Sequence, residues 1–126
     1  AGFTTGNPWI AVNLNYKEIN AKVETANPDS VFHYYKKLIA LRKQHPIMVY
    51  GKYEALLEDN ENLFVYTRTY QNEKLLVVCS FCDHETVFTI PDEFLDTSCL
   101  ISNTRREYNR QELTLGAYEA FVLHKK

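Results

Sequence analysis

Along residues 27–46, NPDSVFHYYKKLIALRKQHP, apolar side chains return every three or four positions. Val31, Tyr34, Tyr35, Leu38 and Leu41 form a stripe that Phe32 and Ile39 widen, while His33, Lys36, Lys37 and Lys43 take the opposite side. That spacing predicts one amphipathic helix. Its ends are marked as well: Asn27 supplies a cap, Pro28 suits the first helical position, and Asp29 puts negative charge in the first turn. Arg42, Lys43 and His45 complement the dipole at the far end, and Pro46 stops the run. About 17 residues at ~1.5 Å rise make a rod of roughly 25 Å. An apolar face this broad predicts a large body for it to lie on.

From residue 47 onward the period falls to two. Tyr53, Ala55 and Leu57 alternate with Glu54; Phe64, Tyr66, Arg68 and Tyr70 alternate with Leu63, Val65, Thr67 and Thr69. Gln71-Asn72 reads as a tight turn into residues 74–81, whose LLVVCSF is apolar on both faces, as a central strand requires. On this reading Val77→Asp, an unpaired charge in that strand, abolishes the fold. Further strands are predicted over 86–90, 98–102, 112–115 and 117–124, with Pro91-Asp92 and Gly116 as breaks. Residues 1–26 have no clear periodicity, yet Phe3, Trp9, Ile10, Val12 and Tyr16 are too apolar for a free tail. The expected fold is mainly β: an antiparallel β-sandwich over 47–126, preceded by one long α-helix and an irregular N-terminal loop in 1–46.

Composition narrows the function. The chain has 126 residues, a formal net charge of −2 and 45% hydrophobic residues. That suffices for one packed core and offers no basic field for nucleic acid. No apolar run is long enough for a membrane-spanning helix, and nothing resembles a signal peptide. The sequence opens at Ala1, without an initiator Met and inside a loop-like stretch, which reads as part of a longer polypeptide.

The candidate chemistry is thin. Cys79 and Cys82 make a C-x-x-C, but more strand follows it instead of the helix N-terminus that activates redox thiols. His84 extends the motif to C-x-x-C-x-H without a fourth ligand at zinc-like spacing, and Cys99 stands alone. Buried, reduced thiols in a cytoplasmic protein are the expectation, with no metal and no cofactor. The acids Glu54, Glu58, Asp59, Glu61, Glu73, Asp83, Glu85, Asp92 and Glu93 fall on solvated faces and turns, and His33, His45, His84 and His124 are scattered. No residue is expected to be catalytic.

AGFTTGNPWIAVNLNYKEINA followed by NPDSVFHYYKKLIALRK resembles the late part of the α-amylase superfamily, glycoside hydrolase family 13, in its oligo-1,6-glucosidase branch. There the first stretch resembles the loop after the last barrel strand and the second the final barrel helix. YGKYEALLEDNENLFVYTRTYQNEKLLVVCSF resembles the opening of the C-terminal β-sandwich, and LTLGAYEAFVLHK its last strand. Ala117 and Leu14 replace usual prolines, and Ser80 stands where an Asn commonly precedes Phe81.

The resemblance implies that residues 1–46 are the end of a catalytic barrel and 47–126 the C-terminal domain. It also implies that the family's catalytic carboxylates lie upstream of this chain. The intact enzyme is expected to hydrolyse α-1,6 linkages of isomalto-oligosaccharides by a retaining mechanism. Similar tails occur in dextran, trehalose-6-phosphate and sucrose enzymes. Gly2, Phe3 and Thr4 are expected beside the substrate of the intact enzyme. Trp9, Val31, Tyr35 and Leu38 are expected to pack on the barrel, which is the implied partner; an uncovered helix face implies self-association. The other reading is a carbohydrate-binding sandwich, with Tyr50, Tyr53, Tyr66 or Tyr70 stacking on sugar rings.

Overall fold

A computed structural model describes residues 4–126. The chain divides into two compact units, one ending at Ala40 and the other running Leu41–Lys126.

In the first unit a short helix α1, Ala21–Ala26, precedes the predicted one. The Asn20 side chain caps it by accepting from the Val23 N–H. Helix α2 spans Val31–Gln44. It starts later than the sequence suggests, because Asn27 is already used: its backbone N–H bonds the Val23 carbonyl to close α1. Its side chain accepts from the Asp29 N–H in a turn of its own. Ser30, which is buried, takes the capping place, its carbonyl accepting from Tyr34 and its hydroxyl lying 3.4 Å from the His33 N–H. Pro28 and Asp29 therefore precede the helix, whose first turn holds no acidic residue.

The second unit opens with the end of α2 and a one-turn helix α3, Ile47–Tyr50. Its IMVY run reads as strand in sequence. Three Arg68 contacts hold it in place: the guanidinium donates to the carbonyls of Ile47 at 3.2 Å, Val49 at 3.4 Å and Gly51 at 2.8 Å. Gly51 is needed here, since a Cβ would stand 2.4 Å from the Ile47 carbonyl oxygen.

Seven strands follow: β1 Lys52–Leu56, β2 Leu63–Tyr70, β3 Glu73–Ser80, β4 Thr86–Thr89, β5 Ser98–Ser102, β6 Glu112–Leu115 and β7 Ala120–Lys125. β1-β2-β3-β7-β5 make one antiparallel sheet, with β3 in the middle as its two-sided apolar pattern predicts. β4 and β6 make the other. Gln71 turns β2 into β3 at φ 52°. Alternation sends Leu63, Val65, Leu76, Val78, Phe121 and Leu123 inward, where they meet Phe88, Ile90, Phe94, Leu113 and Leu115. This is the predicted sandwich core, and its full burial is the main source of stability. Val78 is wholly buried whereas Val77, on the other face, is half-buried. The charge-intolerant position of β3 is therefore Val78. β7 begins at Ala120, later than expected, because Tyr118 forms a turn at φ 54°. No helix among the described residues is long and apolar enough to cross a membrane.

Candidate functional site

Of the residues expected beside substrate, Gly2 and Phe3 lie outside the described residues, and Thr4 is exposed, accepting from the Gly6 N–H at 3.1 Å. The residues expected to pack on a barrel present a surface instead of a core. Trp9 is 95% exposed, Val31 79% and Tyr35 64%, Leu38 is half-buried, and Phe32 and Ile39 are exposed beside them. Within α2 the predicted stripe is buried only at Leu41.

The second unit has an apolar surface of its own. Because side chains alternate, Phe64, Tyr66, Arg68 and Tyr70 share the outer face of the large sheet, away from the core. α3 lies on that face against β2 and β3. Beside it runs an aromatic row: Tyr53 and Tyr66 rings stand 5.1 Å apart, Phe64 and Tyr66 5.3 Å, Phe64 and Phe81 6.3 Å. Tyr53, Phe64 and Phe81 are exposed, and with Leu57 and Glu58 they edge an open depression of about 540 Å³. Burial pushes the Tyr66 hydroxyl up, so it stays protonated.

Cys79 and Cys82 sit in the sheet and the turn after it, with no helix N-terminus among the described residues beside them. Burial pushes the Cys79 thiol up, the opposite of an activated thiolate. Cys82 is buried with its sulfur 3.3 Å from both the Ser80 hydroxyl and the His84 carbonyl.

Two polar clusters form that sequence spacing did not announce. Glu119 is buried immediately before β7. Its Oε1 accepts from the Tyr108 hydroxyl at 2.9 Å and pairs with Arg106 Nε at 2.8 Å, while Oε2 accepts from the Gly116 N–H at 2.8 Å. Tyr108 also lies 2.6 Å and 2.7 Å from the Ser102 and Thr104 hydroxyls and stacks on Phe121 at 4.0 Å. Both oxygens of this carboxylate are engaged, so it fastens the loop before β6 to β7. The second cluster joins His45, Glu73 and His124, whose donor atoms lie within 4.8 Å of one another. Only the end of α2, the start of β3 and the end of β7 bring these residues together, and no spacing rule links such distant positions.

Two family models match, "Alpha amylase, catalytic domain" over residues 1–51 and "Alpha-amylase SusG C-terminal domain" over residues 63–122. An oligo-1,6-glucosidase of Bacillus cereus is 50% identical over the whole chain, which is 23% of that protein. One from Parageobacillus thermoglucosidasius is 55% identical over 97% of the chain and 22% of its own length. The crystal structure of Bacillus licheniformis trehalose-6-phosphate hydrolase superposes with a TM-score of 0.89 at 44% identity, covering 98% of this chain and 23% of that one. The chain thus spans about a quarter of the length of the relatives it matches. It belongs to the α-amylase family and corresponds to the C-terminal part of its oligo-1,6-glucosidase-like members.

Proposed function

We propose that this chain is the non-catalytic C-terminal portion of a cytoplasmic α-glucosidase that hydrolyses α-1,6 linkages of isomalto-oligosaccharides, and that it supports the catalytic barrel. Residues 1–46 close the barrel and 47–126 form the sandwich beside it. The observation that carries this reading is the uncovered apolar surface. Val31 and Tyr35 follow a helical packing stripe that nothing in the described chain covers. The outer face of the large sheet carries exposed aromatics beside α3. Two-thirds or more of each relative lies outside the aligned region, so a body large enough to cover both surfaces is to hand. The family's catalytic carboxylates belong to that body, and the buried Glu119 carboxylate is hydrogen-bonded into the fold.

The test is to assay glucose release from isomaltose and from a chromogenic α-glucoside. The chain alone is expected to be inactive, and the polypeptide extended upstream of Ala1 active. Turnover by the chain alone would overturn the reading. Replacing Tyr35 with Glu in the extended polypeptide is expected to cut soluble yield and lower the melting midpoint.

A second reading rests on the Tyr53–Tyr66–Phe64–Phe81 row, whose exposed rings beside a depression suit stacking on sugars. Saturable tyrosine fluorescence change on titrating isomaltose into the extended polypeptide, lost in Tyr53→Ala with turnover retained, would favour it.

A further inference from the structure

His45, Glu73 and His124 come from three elements and meet on the outer face of the large sheet. His45 follows α2, where its N–H donates to the Leu41 carbonyl at 2.9 Å and its carbonyl accepts from Met48 at 3.0 Å, so its backbone is fixed at the start of α3. His124 lies in β7 between β3 and β5, opposite Leu75 and Ser98, with its side chain 2% exposed. Glu73 opens β3, two residues before Leu75, which puts its carboxylate diagonally across from His124 on one face. The two rings meet edge-on at 5.4 Å, and His124 Nε2 stands 3.3 Å from Glu73 Oε2.

We propose that these three side chains form a binding site for one divalent transition-metal ion of the zinc class. A tetrahedral zinc with bonds of about 2.0–2.2 Å sets its ligand atoms about 3.4 Å apart. The His124–Glu73 pair already has that separation, and the whole set lies within 4.8 Å, a gap that rotation of the half-exposed His45 ring closes. Two imidazole nitrogens and one carboxylate favour zinc, nickel or copper over calcium and magnesium, which take oxygen ligands. Two of the three ligands sit on a hydrogen-bonded strand pair, so few degrees of freedom remain to be frozen. Glu73 is 38% exposed, which leaves an entry path and room for water to complete the shell. Cys79 lies six residues along β3 from Glu73, roughly 20 Å away, and Cys99 on β5 pairs with Leu123, one position before His124. The bound ion would tie the segment before α3 to the middle of the sheet.

The test is calorimetric titration of ZnCl2 into the full chain, freed of any affinity tag and treated with chelator, followed by the visible spectrum with Co²⁺. One ion per chain and a raised melting midpoint are expected, with a cobalt spectrum of nitrogen and oxygen ligands. His45→Gln and Glu73→Gln are each expected to weaken binding by more than about tenfold. Both side chains are partly exposed, so their metal-free melting midpoints are expected to stay near the parent's. Absence of saturable uptake, uptake undiminished in both variants, or a cobalt spectrum with thiolate charge-transfer bands would each overturn the proposal.

Discussion

Adjacent valines in β3 face opposite sides of the sheet, and an aspartate at each turns that geometry into a measurement. Val78 is 0% exposed, pairs with Val65 and Phe121, and lies in the core between the sheets. Val78→Asp forfeits roughly 1.5–3 kcal/mol of burial. No cation is among its core neighbours, so the carboxyl must stay protonated to remain buried. Holding a group of ordinary pKa about 3.9 neutral at pH 7 costs about 4 kcal/mol, at about 1.4 per unit. The sum, about 6–7 kcal/mol, matches the whole stability of many domains, about 5–15 kcal/mol. Val77 is half-buried on the outer face between Tyr66 and Val122. There an aspartate reaches water, and Val77→Asp is expected to cost about 1–2 kcal/mol. Guanidinium unfolding followed by circular dichroism reads both variants. The sign of the pH response is a further check. A carboxyl whose folded pKa is raised destabilises most at high pH, so the Val78 variant should regain structure as pH falls toward 4. Equal midpoints for the two variants, or a greater loss at Val77, would refute the assigned faces of β3.

Three other outcomes are expected of the same fold. Glu119→Gln keeps the shape but removes the charge that faces Arg106, and sets an NH2 group among donors; a loss of about 2–3 kcal/mol is expected in thermal or denaturant unfolding, tempered by the partial exposure of Arg106. Hydrogen bonds from Lys74 and then Lys125 hold the Glu93 carboxyl below its ordinary value. Because the folded value is depressed, this contribution is whole above the unfolded pKa of about 4.3 and fades as pH falls through the folded value. Glu93 is 38% exposed, so Glu93→Gln should cost no more than about 1 kcal/mol at pH 7 and nothing at pH 2 by melting. Ser30→Ala should cost about 1 kcal/mol and speed amide exchange in the first turn of α2, whereas Asn27→Ala should leave those amides protected.

The strands were readable because their pattern is enforced by the core: inward Leu63, Val65, Phe121 and Leu123 must alternate with outward partners. The helices were less so. α1 has no buried residue, so it leaves no periodic trace, and its presence moves the cap of α2 from Asn27 to Ser30. α3 is a single turn of residues that favour strands, held helical by Arg68 from a different element. Sequence could nominate Val31 and Tyr35 as packing residues from helical spacing alone. It could not nominate Tyr53 with Phe81, or His45 with His124, since each pair exists only after the sheet has formed.

The strand order has a consequence for how the molecule is made. β5 has only β7 as a neighbour in the large sheet, and β7 follows it in the chain with β6 in between. While the chain is being translated, the β1-β2-β3 meander emerges with one long border unsatisfied, and β5 must wait beside it unattached. A nascent polypeptide stalled before Ala120 should therefore be a preferred client for chaperones that bind exposed strand edges, and release should coincide with the arrival of β7.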